Sequence, residues 1–325
     1  MTSRERVGAV LRRERPDRVP FNFWMDRFKM DEYDRELGKD GDFRIRHYGA
    51  DVTEVIPPVS WYPSLPRNVV SDTLTTWNTA SAASDLAILE DLELPNPRSP
   101  EMLRPIHDAR RRYPETAIFV LLLTHLDVLL DVRLIQDLSL DMYDRPLLLQ
   151  RLCSRIAERI GQIAAFVCEN ADVDAIYLAG DLASTRGPLF GVELLQRFWL
   201  DEMRVMVQAA HSRGVPVLYH CCGRVVDLLD LFVDTGVDGI NPFQASVNNA
   251  RELEPYRDRL MLYGGIDNSF IIPQGPEPRI RAHIRDVFRT IGSDGGLILS
   301  SHDIQGDTPK AHIDAMVDEI KRCVY

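Results

Sequence analysis

Eight short apolar segments, separated by longer polar and helix-like stretches, constrain the fold of this chain more than any other feature of its sequence. Near-continuous apolar runs are typical of strands buried on both faces, as in a parallel sheet covered by helices. The predicted strands are Val19–Phe23, Asp51–Ile56, Ala117–Leu123, Ala175–Ala179, Pro216–His220, Gly239–Phe243, Leu260–Tyr263 and Gly296–Ser300.

The segments between the later strands have the period of amphipathic helices. In Val192–His211 an apolar residue recurs at about every third or fourth position, and Val225–Asp234 shows the same pattern before Gly236. Strands that alternate with helical crossovers predict an α/β protein, a (β/α)8 TIM barrel. A doubly wound sheet is the weaker alternative, because no glycine-rich phosphate-binding turn follows the first strand.

Two stretches depart from this alternation. Residues 57–100 are rich in Pro, Ser, Thr and Asn and predict an irregular insertion after strand two. Residues 124–173 are too long for one crossover and predict two or three helices between strands three and four. Neither stretch resembles a second domain, so we expect one barrel domain over residues 1–325.

Composition and charge exclude several classes of function. The chain has 38 basic and 49 acidic residues and a formal charge of -11, so we expect neither nucleic acid nor an anionic membrane as a partner. It contains no apolar run of the roughly 18 residues that a membrane span needs. Without a visible signal peptide, and with five cysteines, an odd number, a cytoplasmic protein is expected. The oligomeric state stays open.

In a barrel of this type the active site lies at the carboxyl ends of the strands. We therefore expect the polar residues at those ends to gather around one rim and to bind a small-molecule substrate. They are Glu54 in strand two, Asp181 after strand four, His220 and Cys222 at strand five, Asn241 and Gln244 at strand six, Asp267 after strand seven and His302 after strand eight.

The spacing of His220 and Cys222 is the sharpest local signal. Side chains two apart on a strand point the same way, so an imidazole and a thiol would enter the rim together. Zinc binds both, and a catalytic zinc keeps one position open for substrate. His302 would supply a third ligand. The spacing alone also fits a simpler interpretation, a hydrogen-bonded histidine beside buried thiols.

Two carboxylates are candidates for proton transfer. Asp181 would face the substrate as a general acid or an orienting group, or else cap a helix or pair with Arg186. Glu54 is either a functional acid or a packing partner of an arginine.

The remaining candidates would bind substrate. Asn241 and Gln244 are neutral hydrogen-bonding groups suited to orienting a ligand. Asp267 would contact the ligand or stabilise a turn. Trp24 and Tyr62 would form apolar walls, although core packing explains either residue equally well.

The ordered set of segments resembles the uroporphyrinogen decarboxylase superfamily, a group of TIM barrels that also includes cobalamin-linked methyltransferases. The resemblance covers nearly the whole chain and lies in the order and spacing of its segments rather than in any one of them. The segments are Arg15–Pro20, Tyr48–Val52, Gly180–Leu182, His220–Gly223, Gly236–Pro242, Gly264–Asp267 and Ser301–Pro309.

The residues favour the methyltransferase branch of this superfamily. Porphyrinogen decarboxylases have an Arg-x-Ala-Gly-Arg segment after strand one, whereas this chain has only Arg27 and Lys29 there. The methyltransferase branch uses His-x-Cys and a late Cys as zinc ligands, a pattern that His220 and Cys222 match, with His302 at the late position. The resemblance therefore implies a zinc-dependent methyltransferase.

Histidine in place of the late cysteine removes one negative charge from the site. A zinc-bound thiol acceptor would then be less nucleophilic, so a corrinoid protein or a folate-type carrier is expected to exchange the methyl group. The alternative within the superfamily is cofactor-free decarboxylation of a tetrapyrrole or other carboxylate, with Asp181 or Asp267 binding pyrrole N–H groups. A non-catalytic binder on a barrel scaffold is a third hypothesis.

Overall fold

All eight predicted strands are present in one parallel sheet. The computed structural model describes residues 1–65, 68–71 and 76–325, and the side chains of residues 1–65 and 78–325. The strands are β1 Phe21–Met25, β2 Val52–Val55, β3 Ala117–Leu123, β4 Ala175–Ala179, β5 Val217–His220, β6 Gly239–Phe243, β7 Met261–Ile266 and β8 Leu297–Ile304.

The strand order confirms the TIM barrel. The hydrogen-bonded row runs β1-β8-β7-β6-β5-β4-β3-β2. Consecutive strands from β2 to β8 are therefore neighbours, and β1 pairs with β8. A doubly wound sheet would reverse direction part-way along this row. The two ends of the row meet where the Asp51 N–H donates to the Phe21 carbonyl over 2.8 Å, which gives a nearly closed barrel.

Helices surround the strands. The long stretch between β3 and β4 contains three of them, as predicted: His125–Leu130, Ile135–Asp144 and Pro146–Asn170. Among the described residues, no helix combines the length and the apolar character that crossing a membrane requires. The helices are α1 Ser3–Leu11, α2 Arg27–Leu37, α3 Phe43–Arg46, α4 Leu103–Arg112, α5 His125–Leu130, α6 Ile135–Asp144, α7 Pro146–Asn170, α8 Val192–Phe198, α9 Leu200–His211, α10 Leu229–Thr235, α11 Ala250–Leu253, α12 Ile271–Gln274, α13 Glu277–Val287 and α14 Lys310–Lys321.

The insertion after β2 is more regular than its composition suggests. It contains an antiparallel pair of strands, Asn68–Ser71 and Thr76–Ala80, in a region whose Val-Val and Thr-Trp pairs favour extended structure. Part of the predicted insertion lies outside the described residues. Its second half is held to α7 by arginines, because Arg155 donates to the carbonyls of Glu90 and Leu92 over 2.7 and 2.6 Å. These bonds satisfy carbonyls that a loop would otherwise leave unpaired.

Strand alternation divides the core into two parts. Phe119, Tyr177 and Tyr263 fill the inside of the barrel, while a larger apolar cluster lies between the strands and the helices. The register sets the height of each inward side chain. Leu123 on β3 pairs with Ala179 on β4, and Ala179 pairs with His220 on β5. These three residues therefore lie at one level of the carboxyl rim.

Asp51 joins β1 to β2 with its side chain as well as its backbone. Its carboxylate is fully buried, and it accepts hydrogen bonds from Arg6 over 2.7 Å, from Arg18 over 2.8 and 3.0 Å, and from the Phe21 N–H over 2.9 Å. Two arginines and one strand amide thus share one buried carboxylate at the point of closure.

We expect Asp51→Asn to lower the free energy of unfolding by about 2–4 kcal/mol, because it removes the buried charge that Arg6 and Arg18 share; Arg18 loses its counter-ion, whereas Arg6 keeps its ion pair with Asp17. Denaturant unfolding measures the change. Asp40→Asn is the matched control, since the Asp40 side chain is 85% exposed beside Arg46 and Arg112. A loss of about 0–1 kcal/mol is expected there. Equal losses in the two variants would contradict a role for Asp51 in closure.

Candidate active site

His220, at the end of β5, is held in one tautomer by its neighbours. Its Nδ1 lies 3.0 Å from Asn241 Oδ1 and 2.8 Å from the Tyr177 hydroxyl oxygen. The Asn241 amide is oriented by its own N–H, which donates to the Tyr263 carbonyl over 3.2 Å, so Oδ1 faces the imidazole. Because a carbonyl oxygen only accepts, His220 carries its proton on Nδ1. The lone pair of Nε2 is then free and faces Cys222 Sγ at 3.5 Å.

His302 is arranged in the same way on the other side of Cys222. Its Nδ1 lies 3.3 Å from Asp303 Oδ2, an acceptor, which leaves the lone pair of Nε2 directed at Cys222 Sγ, 3.8 Å away. The pairing of β1 with β8 shifts by one residue next to His302. Phe23 pairs with Ser301, but Met25 pairs with Ile304. Such bulges re-aim side chains at the rims of barrels.

The donor atoms of His220, Cys222 and His302 lie within 4.8 Å of one another. In a tetrahedral zinc site a sulfur and a nitrogen ligand are about 3.5 Å apart, close to the separations seen here. Both imidazoles also have an oxygen acceptor beside their Nδ1 atom, which is the usual support of a metal-binding histidine. The three residues therefore fit a divalent ion with two nitrogen donors and one sulfur donor.

Burial affects the two ligand types at β5 differently. It lowers the pKa of His220 to about 4, so the ring is neutral at pH 7, as metal binding requires. Burial also raises the pKa of the Cys222 thiol. The adjacent Cys221 points to the outer cluster instead, where its sulfur accepts the Leu182 N–H over 3.2 Å.

Asp181 and Trp24 lie directly beside this cluster. Asp181 Oδ1 accepts the Cys222 N–H over 2.7 Å and lies 3.9 Å from His220 Nε2. Asp181 therefore fixes the backbone that carries the thiol. The Trp24 ring stacks beside His302 at an angle of 13°, with the ring centres 6.4 Å apart, and forms one wall of the mouth.

Glu54 presents a carboxyl group enclosed in the barrel. Its Oε1 accepts the Tyr263 hydroxyl over 3.0 Å, while Oε2 is buried and has no hydrogen-bond partner among the described residues. Burial raises the pKa of Glu54, and the charge of Arg44 opposes that rise. Arg44 is thus the arginine expected near Glu54. It is paired with Asp42 and does not neutralise Glu54 through a direct contact. The free oxygen is suited to a proton transfer.

Gln244 and Asp267 both accept hydrogen bonds from backbone N–H groups. Gln244 accepts the Gly223 N–H and so supports the loop that follows Cys222. Asp267 accepts the N–H groups of Ser269 and Phe270 over 2.9 and 2.7 Å, which is the turn role that its sequence also allowed. For Gln244 and Asp267 a contact with substrate stays a prediction.

Tyr62 belongs to the insertion rather than to the rim. Burial raises its pKa to about 12, and the groups that modify this rise, Arg155 and Cys153, both belong to α7. Among the described residues, no contact joins Tyr62 to the histidine–cysteine cluster, and its role as a substrate wall also stays a prediction.

Asp127 is a neighbour of the site that the sequence did not single out. The Thr124 hydroxyl donates to its Oδ2 over 2.7 Å and the Asp181 N–H to its Oδ1 over 3.3 Å. A Cβ atom at Gly180 would overlap the Asp127 carboxylate, so only glycine fits there. A usable signal was the Thr-x-x-Asp pattern directly after β3, which is typical of a helix start. Asp303 was missed likewise, although it directly follows His302.

The family model of uroporphyrinogen decarboxylase (URO-D) matches residues 78–323, more than two thirds of the sequence. The chain belongs to the uroporphyrinogen decarboxylase family. No curated protein matches the sequence of this chain.

Solved structures show the same fold. A methyltransferase from Methanosarcina mazei is 18% identical, with a TM-score of 0.74 over 99% of each chain. A B12-independent methionine synthase from Shewanella sp. W3-18-1, in complex with selenomethionine, is 12% identical, with a TM-score of 0.53 over 94% of each chain. At these identities the likeness extends to the barrel and not to the reaction.

The raised pKa of Asp127 predicts how the stability of the fold depends on pH. Burial raises its pKa from 3.8 to about 7, so the folded chain binds the proton more tightly than the unfolded chain. The stability that the protonated acid confers is complete below about pH 4 and is lost as the pH rises through about 7. We expect Asp127→Asn to be more stable than the natural protein by roughly 2–4 kcal/mol at pH 8, and equally stable near pH 4.

Denaturant unfolding at pH 4, 6 and 8 measures this difference. A difference between the two proteins that is constant with pH would show that Asp127 ionises as it does in water.

Proposed function

We propose that this chain is a zinc-dependent methyltransferase that exchanges a methyl group between a small molecule and a corrinoid or folate-type carrier. The observation that carries the proposal is the convergence of His220 Nε2, Cys222 Sγ and His302 Nε2. Both imidazoles are fixed in the tautomer that a metal needs by acceptors at Nδ1. A histidine pair used only for packing would not require both lone pairs to face one thiol.

Zinc held by these three residues would act as a Lewis acid that polarises the heteroatom of the methyl donor or acceptor. One thiolate neutralises only half of the charge of the ion, so a neutral heteroatom is a suitable fourth ligand. The carboxylates of Asp181 and Asp303 lie beside the ligands and favour a bound cation.

The residues around the ligands have distinct tasks. Asn241 and Tyr177 orient His220, and Asp181 orients the backbone of Cys222. In methyl transfer a nucleophilic atom of the carrier supplies the electron pair of the new bond to the methyl carbon, and the bond between that carbon and the donor heteroatom breaks, so that the heteroatom keeps its electron pair. Glu54 can then supply the proton that neutralises the heteroatom, because its second oxygen is enclosed and unpaired.

Two comparisons agree with this assignment without deciding it. Two of the similar structures are a methyltransferase and a B12-independent methionine synthase. Of the two cations at the predicted positions, one is buried in an ion pair and the other lies in solvent rather than in an enclosed site. Lys29 is buried and paired with Glu32 over 2.7 Å, and the Arg27 side chain is 85% exposed.

Metal content tests the ligand set. We expect the protein purified without added metal to contain about one zinc ion per chain, and Cys222→Ala to lose it, because two imidazoles alone bind zinc weakly. Cys221→Ala is the matched control and should retain the metal, since that sulfur faces the outer cluster. Elemental analysis of the three proteins gives the answer.

The other outcomes identify the alternatives. Zinc retained in Cys222→Ala would contradict the proposed site. A metal-free protein that binds a tetrapyrrole would indicate the decarboxylase, and a protein with neither metal nor a saturable ligand would indicate a non-catalytic binder.

Glu54 tests the proton transfer separately from the metal. We expect Glu54→Gln to slow methyl transfer by about 10²–10⁴-fold while its zinc content stays unchanged. The measurement is the single-turnover rate of methylcobalamin formation, with the donor that the natural protein uses fastest. Glu193→Gln, on the exposed first turn of α8, should match the natural rate. An unchanged rate in Glu54→Gln would remove Glu54 from the mechanism.

A further inference from the structure

An apolar cavity of about 200 Å³ opens beside the carboxyl ends of β2 and β3. It lies between the barrel, α7 and the start of the insertion, and none of the candidate metal ligands lines it. Its wall is aliphatic and aromatic throughout and includes Ile56, Trp61, Leu121, Leu123, Ile160 and Ile163.

The register of the sheet connects this cavity to the metal cluster. Glu54 and Ile56 follow each other on one face of the β2 segment, so the cavity begins one step above the Glu54 carboxyl. Leu121 packs against the inner core, whereas Leu122 and Leu123 pack against the outer cluster, which includes Ile160 and Ile163 of α7. Leu123 pairs with Ala179, which pairs with His220. Two strand spacings, about 9.5 Å, therefore separate the cavity wall from the cluster at one level of the rim.

On β4, Ala179 is the residue at this level, between Leu123 on β3 and His220 on β5. Its side chain is a single methyl group and the residue is partly exposed, so the space between the cavity and the cluster is not filled by β4. On β4, a molecule that extends from the cavity toward His220 would therefore pass a methyl group rather than a larger side chain.

The size and chemistry of the cavity define its ligand. An apolar cavity of about 150 Å³ in another protein binds benzene, so one of about 200 Å³ accommodates a single ring or a short branched chain. A charged or strongly polar group would lose its hydration here without gaining a hydrogen bond. The ligand group is thus an uncharged hydrocarbon of ring size.

We propose that this cavity binds the hydrocarbon part of the methyl donor, and that the donor is an uncharged thioether or ether carrying one ring-sized apolar group. The heteroatom then lies over Ala179, between Glu54 and the cluster formed by His220, Cys222 and His302. This assignment of the substrate class rests on the proposed function, but the cavity itself can be tested without catalysis.

The test is the binding of toluene, a probe with no reactive group, measured by saturation-transfer NMR and calorimetry on the full chain. We expect saturable binding to the natural protein and at least about tenfold weaker binding to Leu123→Trp, because the indole occupies the cavity and excludes the ring. Leu121→Phe is a second filling variant, for use if Leu123→Trp does not fold. Leu189→Trp, at an exposed leucine that does not line the cavity, should bind toluene as the natural protein does.

The outcomes separate the two proposals. Thioanisole should compete with toluene for the natural protein. The absence of saturable toluene binding, or equal binding to the folded filling variants, would overturn the assignment of the cavity even if zinc is present and methyl transfer occurs. Toluene binding that the filling variants lose would uphold the cavity as an apolar ligand site even if Cys222→Ala retained its metal and the methyltransferase proposal failed.

Discussion

Closure of the sheet between β1 and β2 is the constraint on which the rest of this structure depends. These strands stand at the two ends of the hydrogen-bonded row, and Asp51 joins them through its N–H, its buried carboxylate and two arginines. Closing a sheet of fixed strand number sets the tilt and stagger of every strand. The ends of β5 and β8, which are far apart in sequence, are thereby brought to one side of the mouth. The rings of His220 and His302 are 5.3 Å apart as a result.

The chemistry of the mouth depends on how each donor is oriented. Each imidazole has an acceptor at Nδ1, an amide oxygen for His220 and a carboxylate for His302, and so each directs a lone pair at Cys222. Asp181 holds the Cys222 backbone, and Asp127 in turn lies beneath Asp181. The cluster is thus supported from four different strand ends. Loss of one supporting contact would misdirect a donor without removing it.

A polar cluster and an apolar cavity lie at different parts of the same rim. The ends of β5 and β8 carry the candidate ligands, whereas Ile56 after β2 and Leu121 to Leu123 on β3 line the cavity. The insertion completes the apolar side through Trp61, and arginines of α7 tie the later part of the insertion to the barrel. An insertion that is irregular in sequence therefore has a defined place in the geometry of the mouth.

The eight strands, the barrel and two of the candidate ligands could be predicted from the sequence alone, because strand periodicity and His-x-Cys spacing are local properties; His302 followed from its place at the end of the eighth predicted strand. It placed the end of β8 too early, at Ser300, since pairing with β1 and β7 extends that strand to Ile304. Asp267 illustrates a side chain whose local turn contacts compete with a predicted substrate contact. The tautomers of the histidines, the contact of Asp127 with Asp181 and the apolar cavity became visible only in the folded chain. Each of these arises between segments distant in sequence, and their contacts depend on the register and closure of the whole barrel.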